Sequence, residues 1–532
     1  MNKLIKLSFT LAGLAVFAGC KKFVDVNDNP NNAIVTQSSF VFSGAMGTTY
    51  RNQVSGVVHI VPGTWTGYYG HSTSFTGGGA EKTYEFTNAD FNAFDGLFDN
   101  IADYQYVKDH ATSDGVAFWK NPADIMQCYV YQELVDLYGD VPYTDALKGV
   151  ENITPTYTNQ KDIYEDLIKR LDADMVAIAA ATWSTDAAII AQDVFFQGNK
   201  TNWIRFANTL KLRILMRQSF MPGRDAYITT NINSTLTNGY ITANVLASPG
   251  YQNIAGKLNP FYNNYGYNEL NNIVQNHQYR KMGAALLNWL KTSNTTNAAP
   301  PSASPSATAN ADTFRLQGLA WPAGTQVTAP SANLSSYVGV PMGAGAGYST
   351  ATSSAIGPFQ IQQGQGTRPG MLMLLAEAYF LQAEAAQRYG IVFPGGTAQQ
   401  LYQAGILAHF RTVAAPSAAG NASNAGDVYA INYYNRAIDN IGWVASIDKI
   451  RAILIQKWVS LTHINGLEAW SEYRKSSGSA SVGVPIKVRT VASTSNPEPV
   501  RYLYPQSELD ANSKNVPTGI DRFTSKIFWD VN

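Results

Sequence analysis

Apolar side chains recur at three- and four-residue steps in several stretches, the period that places them on one face of an α-helix. Met126, Val130, Leu134 and Leu137 form one such stripe, and Gly139 followed by Pro142 predicts its end. Ile163, Leu167, Leu171, Met175 and Ile178 form a second, with a cap at Thr158 or Asn159. Trp203, Phe206, Ala207, Leu210 and Ile214 form a third, with Arg205, Lys211, Arg213 and Arg217 distributed around it. From Met371 to Arg388, Ala376, Ala383 and Ala386 are spaced to let another helix approach around Tyr379 and Phe380, and Gly390 and Pro394 end the run. Ile450, Leu454, Trp458 and Leu461 mark a fifth. These stripes read as core contacts. No fixed period of about 20 to 50 residues is visible, so any helical repeat is irregular.

Between the helical blocks the texture changes. Residues 239–368 are rich in Asn, Gly, Ser, Pro and Tyr, with one helix predicted near Tyr279 to Leu290. A loop region of this length is usually functional or disordered, and Asn294 to Asn310 has the composition of local disorder. A smaller loop patch, Pro62 to Phe86, holds Trp65, Tyr68, Tyr69, His71 and Phe75 among glycines.

The chain opens with Lys3 and Lys6, an apolar run from Leu7 to Phe17, then Ala18, Gly19 and Cys20. This is the pattern of a secretory signal, too short to span a bilayer. Cys after Ala-Gly resembles a bacterial lipobox, with Phe17 standing where Leu is usual, so residues 1–19 read as a signal peptide and Cys20 as the lipidation site. With two Cys in the chain, lipidation at Cys20 leaves Cys128 without a disulfide partner. A buried lipid methylene contributes about 0.8 kcal/mol, so more than one acyl chain gives a stable anchor. Asp25 to Asn29 begins like a calcium loop, but Pro30 stands at the turn position and Thr36 at the position of the bidentate Glu.

Composition narrows the function. In 532 residues, Lys+Arg and Asp+Glu number 38 each, so no net field draws nucleic acid or an anionic membrane surface. Charged residues make up 14%, well under the usual share of about 25%. Uncharged amides, hydroxyls and rings take their place, including 30 Tyr and 10 Trp. Such a surface suits neutral, hydroxyl-rich ligands; a low-charge exported protein with an aromatic core reads the same way.

Enzyme signatures fail one by one. The chain has no His-Glu-x-x-His, Cys-x-x-Cys or Gly-x-Ser-x-Gly, and its six His are scattered without metal-ligand spacing. Leu258 breaks the Walker pattern after Gly256-Lys257, and Pro369 occupies the third-glycine position after Gly364 and Gly366. A pair of glycosidase carboxylates leaves no local signature, so an exported glycoside hydrolase stays open at this point. The remaining signal is aromatic. Tyr262, Tyr265 and Tyr267 alternate with amides, and ring faces stack on the C–H face of a sugar while Asn donates and accepts. The same rings also suit the stapling of long loops onto helices.

Several phrases in one order carry a family resemblance: Phe23 to Pro30 after the lipobox Cys, Tyr131 to Tyr143, Ile163 to Leu167, Trp203 to Arg213, Glu377 to Ala385, Gln456 to Trp458, Asn465 to Arg474 and Arg501 to Pro505. The chain resembles the SusD/RagB family of outer-membrane lipoproteins, nearest its SusD-like branch, over nearly its whole length. The resemblance implies a mostly α fold, an irregular tetratricopeptide-like helical scaffold with long loop-rich ligand-binding segments. It implies a non-catalytic binder without a cofactor, seated on a SusC-like TonB-dependent outer-membrane barrel. The matching phrases belong to scaffold and docking rather than to a ligand site.

The sequence therefore predicts one SusD-like domain over 20–532, divided into an arm and helical scaffold (20–238), a ligand-face segment (239–368), a second scaffold block (369–475) and an irregular end (476–532). Expected ligand contacts are Trp65, Tyr68, Tyr69, Tyr262, Tyr265, Tyr267 and Trp321, with Asn263 and Asn264 hydrogen bonding. The expected ligand is an oligosaccharide or a peptide. No nucleic-acid partner, metal or cofactor is expected, and nothing indicates a structural calcium. A surface assembly or adhesion lipoprotein is the other open reading.

Overall fold

The computed structural model describes residues 37–292, 311–324, 329–414, 422–476 and 497–531. The signal peptide, Cys20 and the stretch 294–310 lie outside the described residues. The long helices are α1 (Ser38–Gln53), α2 (Phe94–His110), α3 (Lys120–Tyr138), α4 (Gln160–Ala180), α5 (Lys200–Arg217), α6 (Leu375–Tyr389), α7 (Ala398–Ala414), α8 (Ala422–Tyr434), α9 (Lys449–Ser460) and α10 (Gly466–Ser476). From α1 to α8, each packs on the next in sequence; α9 returns to α6, and α10 to α3, α5 and α9. The mostly helical class expected from the sequence is the class observed.

Local chemistry sets the ends. Asn159, the second of the two expected caps, accepts from the Lys161 backbone N–H at 3.0 Å and opens α4. Gly139 (φ +76°) and Gly390 (φ +66°) close α3 and α6 in the positive-φ region, which a side chain resists. The predicted run from Met371 is shorter as a helix. Gly370–Met373 is instead a strand, paired antiparallel with Val245–Ala247. A Cβ on Gly370 would collide with the Tyr50 ring, so only glycine lets this segment lie flat against α1.

The strands are short: β1 (Tyr69–His71), β2 (Val141–Pro142), β3 (Tyr157–Thr158), β4 (Val245–Ala247), β5 (Arg280–Met282), β6 (Ala320–Ala323), β7 (Ser354–Ile356) and β8 (Gly370–Met373). They form antiparallel pairs β1–β5, β2–β3, β4–β8 and β6–β7. In the first, Tyr69 faces Met282 and His71 faces Arg280, which is why the helix predicted from Tyr279 begins only at Ala284. Helical turns at Pro260–Tyr265, Gln275–Tyr279 and Thr313–Leu319 were not legible as periodicity because each is under two turns long.

Between the helices lies a buried ionic lattice. Arg213 of α5 grips Glu377 of α6 with two bonds, 2.7 and 3.0 Å. Arg217 pairs with Glu468 and, at 2.8 Å, with Glu472 of α10, and Lys457 of α9 lies 3.1 Å from both carboxylates. Lys475 joins Glu472 (2.9 Å) to Glu384 (3.2 Å). All these side chains are buried. Most of them come from the phrases that carry the family resemblance.

Candidate functional site

The rings expected to meet ligand are in the interior. Trp65, Tyr68, Tyr69, Tyr262, Tyr265, Tyr267 and Trp321 are all buried, Tyr267 the least so at 9% exposure. Trp65 packs against Trp470 at 5.0 Å and donates to the Glu81 carbonyl at 3.0 Å. Tyr68 lies on Trp458 and donates to its carbonyl. The Tyr69 hydroxyl sits between His59 Nε2 (2.8 Å) and His463 Nδ1 (2.9 Å). Tyr262 accepts from the Gly364 N–H at 3.0 Å, Tyr265 packs on Phe261, Tyr267 stacks near His277, and Trp321 donates to the Ile361 carbonyl at 3.2 Å. Their faces are covered by protein, so here they staple loops to the scaffold and offer no stacking surface. Asn263 and Asn264 are half-buried.

The loop face presents other rings. Phe75, Tyr279 and Tyr348 are half-buried and come from three segments tied together by hydrogen bonds. Ser72 N–H donates to the Tyr279 carbonyl at 2.8 Å, and Thr73 N–H to the Tyr348 carbonyl at 2.7 Å. Tyr348 N–H returns to Thr73 Oγ1 at 3.1 Å, and Thr350 N–H reaches Ser74 Oγ at 3.1 Å. Phe75 and Tyr279 meet edge to face, with centroids 5.8 Å apart at 75°. The same segments carry the hydroxyls of Ser74 and Thr350 and the exposed side-chain amide of Gln278. Rings beside hydroxyls and amides on a fixed backbone are what a sugar needs: stacking for its C–H faces and paired donors and acceptors for its hydroxyls.

The platform rests on a buried charge cluster. Arg280 Nη1 lies 2.8 Å from Glu81 Oε1, and its guanidinium carbon stands 4.9 Å from the centroid of Tyr279. His71 lies 3.1 Å from Glu81 and packs on Tyr279. Burial pushes the Glu81 carboxyl up, but Arg280 and then His71 overcome it and hold it well below the usual carboxylate range. Burial, opposed by Glu81, lowers the His71 pKa, so the imidazole is neutral at neutral pH. Gly78 (φ +64°) completes the seat, since a Cβ there would strike the Tyr279 hydroxyl and the His71 ring.

The sequence patch Pro62 to Phe86 contained Phe75 and His71, but Tyr279 and Tyr348 were missed. One signal was available for Tyr348. Phe75 precedes Gly77-Gly78-Gly79, and Tyr348 follows Gly343, Gly345 and Gly347, so each ring borders a stretch with no side chains to cover it.

One group has the shape of a metal site. Single ligand atoms of Asp124, Cys128 and Asp174 lie within 4.8 Å of one another. Two cations already hold Asp124: Arg170 through Nε at 3.0 Å and Nη2 at 2.6 Å, and Lys108. Burial first, and the Asp124 charge second, push Asp174 up to about 9, and burial raises the Cys128 thiol. With two of its donors protonated at neutral pH, the triplet is a poor cation site and reads as a proton-holding cluster.

No curated protein sequence matches the chain. Among solved structures, a SusD/RagB family protein from Bacteroides thetaiotaomicron is similar at TM-score 0.72 and 17% identity, covering 94% of this chain and 100% of that one. A chitin-binding SusD homolog from Flavobacterium johnsoniae is similar at TM-score 0.67 and 21% identity, covering 93% and 99%. A chitin-binding protein is similar at 0.68 and 22%, covering 93% and 100%. At these identities the likeness shows the fold. The family model described as starch-binding, associating with the outer membrane, matches residues 30–505. With the match spanning most of the sequence, this chain belongs to the SusD-like family.

Proposed function

We propose that the protein is a non-catalytic, lipid-anchored surface receptor that captures an oligosaccharide and delivers it to a SusC-like TonB-dependent outer-membrane barrel. The observation that carries the binding half is the Phe75–Tyr279–Tyr348 platform, with its flanking hydroxyls and the Arg280–Glu81 support below. The family's description as starch-binding and the chitin-binding neighbours favour a glycan over a peptide. Cys20 supplies the anchor, and among the described residues no helix is long and apolar enough to cross a membrane. Each stacked ring contributes on the order of 1 kcal/mol, so affinity needs several sugar units in contact at once. Asn263 and Asn264, half-buried on the Pro260–Tyr265 turn, remain in the proposal as hydrogen-bonding amides.

Calorimetry with malto- and chitooligosaccharides tests the reading. Binding that strengthens with oligomer length supports it, and no binding to either series counts against it. Co-purification with a large barrel from detergent-solubilised outer membrane tests delivery, and overnight incubation without new reducing ends is the expected result for a binder.

A further inference from the structure

A second concavity lies on elements that the platform does not use. It has a volume of about 240 Å³ and opens between the turn 193–198, the first turns of α5 and the segment 241–248. Pockets for drug-sized ligands run from about 300 Å³ upward, so this one suits a single sugar ring. Its walls are rigid. The buried Asp193 carboxylate accepts from the N–H groups of Phe195, Phe196 and Gly198 and from Trp203 Nε1, at 2.8 to 3.1 Å. That clamp holds Gln197 at φ +51°, a strained conformation for a residue with a side chain. Across the cavity, the Asn244 amide is fixed by the Leu375 N–H at 2.9 Å and by Thr412 Oγ1 at 3.1 Å.

The chemistry facing this space differs from that of the platform. Arg205 lines it, half-buried, and its guanidinium has neither an ion pair nor a hydrogen bond among the described residues. The Asn202 amide, which also lines the cavity, has no side-chain hydrogen bond among the described residues, while Phe196 supplies an apolar ring edge. Asp193, the nearby carboxylate, has both oxygens taken by N–H donors and does not compete for Arg205. A guanidinium presents a planar fork that matches a carboxylate with two parallel bonds. The geometry points to a second binding site here, for a carboxylate-bearing sugar unit. Arg205 takes the carboxylate, Asn202 a ring hydroxyl, and Phe196 the apolar edge of the ring. A chain of zero net charge thereby offers one guanidinium, without an ion pair among the described residues, to an acidic sugar, on elements separate from the platform.

The test is calorimetry at low salt with a galacturonic acid disaccharide, and with its methyl ester as the uncharged control. Expected are binding of the acid to the wild type, a loss of about tenfold or more in Arg205→Gln, partial retention in Arg205→Lys, and weakening by added salt. Tyr279→Ala leaves this binding unchanged, which separates the site from the platform even if the platform binds no sugar. Arg205→Gln is checked for an unchanged melting temperature, and Asn202→Ala gives a second readout with the guanidinium intact. Failure of the acid to bind the wild type, equal binding by Arg205→Gln, loss in Tyr279→Ala, or a tri-glutamate peptide binding as well as the disaccharide each overturn the proposal.

Discussion

Tyr279 meets Phe75 edge to face across two loops separated by about two hundred residues, while the Arg280 guanidinium stands 4.9 Å from the centre of its ring. The contact joins the patch after β1 to the turn before β5, and the β1–β5 pairing fixes their spacing. A ring held this way keeps its position without being buried, so it is ordered before a ligand arrives and loses little freedom on binding.

Buried and half-buried rings give opposite results on truncation. Trp321→Ala removes an interior indole and its bond to the Ile361 carbonyl, so a loss of about 3 to 5 kcal/mol of stability is expected. Phe75→Ala is expected to cost under about 1 kcal/mol of stability and to weaken glycan binding instead. Denaturant melts of both variants check this, and a Trp321→Ala protein as stable as the wild type contradicts the packing role.

Four stripes were read correctly: α3, α4, α5 and α9 lie where the periodicity of Met126, Ile163, Trp203 and Ile450 placed them, whereas α2 and α7 were not predicted although Leu97, Ile101, Tyr104 and Val107 and Leu401, Ile406, Phe410 and Val413 form buried stripes of the same kind. The binding face was not legible, because Tyr262 and Tyr279 sit in equally polar, amide-rich surroundings in the sequence. What separates them is pairing at long range. Tyr262 is covered by Leu258 and by the 364–366 turn, whereas Tyr279 ends a turn whose neighbours are Gly77 and Gly78. Burial in loops depends on which distant segment arrives on top, and neither composition nor period encodes that.

The ionic lattice makes a second prediction. Arg213→Met strands the Glu377 carboxylate in the interior and is expected to cost about 3 to 5 kcal/mol, while the double variant Arg213→Met/Glu377→Met is expected to recover most of that loss. A double-mutant cycle by chemical denaturation reads the coupling. Additive costs would show that the pair does not act as a unit.

The chain His59–Tyr69–His463 fixes its own protons. Gly466 N–H donates to His59 Nδ1, and His463 Nε2 donates to the Leu319 carbonyl, so Tyr69 accepts from His59 and donates to His463. Burial holds His59 at about 3, helped by His463, and His463 at about 4. The unfolded chain takes up these protons below about pH 6.5 and the native state refuses them, so their contribution to stability falls as pH drops from about 6.5 towards 4 and 3. Glu133, which burial pushes up to about 8, slopes the other way, so the readout is a difference between proteins. Against the wild type, His463→Gln is expected to lose less stability between pH 7 and pH 4.5; parallel curves contradict the assignment.

Gly78 supplies a fourth test. Gly78→Ala places a side chain at φ +64° and drives it into Tyr279 and His71. Glycan affinity is expected to fall by about tenfold, with about 1 to 2 kcal/mol lost in stability. Gly79→Ala, where a Cβ meets nothing within 4 Å, is the matched control and is expected to behave as the wild type.

The most direct measurement is calorimetric titration of the oligosaccharide that binds the wild type best against Tyr279→Ala and Tyr265→Ala, with folding of both verified by melting. A platform at Phe75, Tyr279 and Tyr348 predicts a loss of about fivefold to tenfold in Tyr279→Ala and wild-type affinity in the Tyr265→Ala protein that folds. Unchanged affinity in Tyr279→Ala, or a loss confined to Tyr265→Ala, would contradict it.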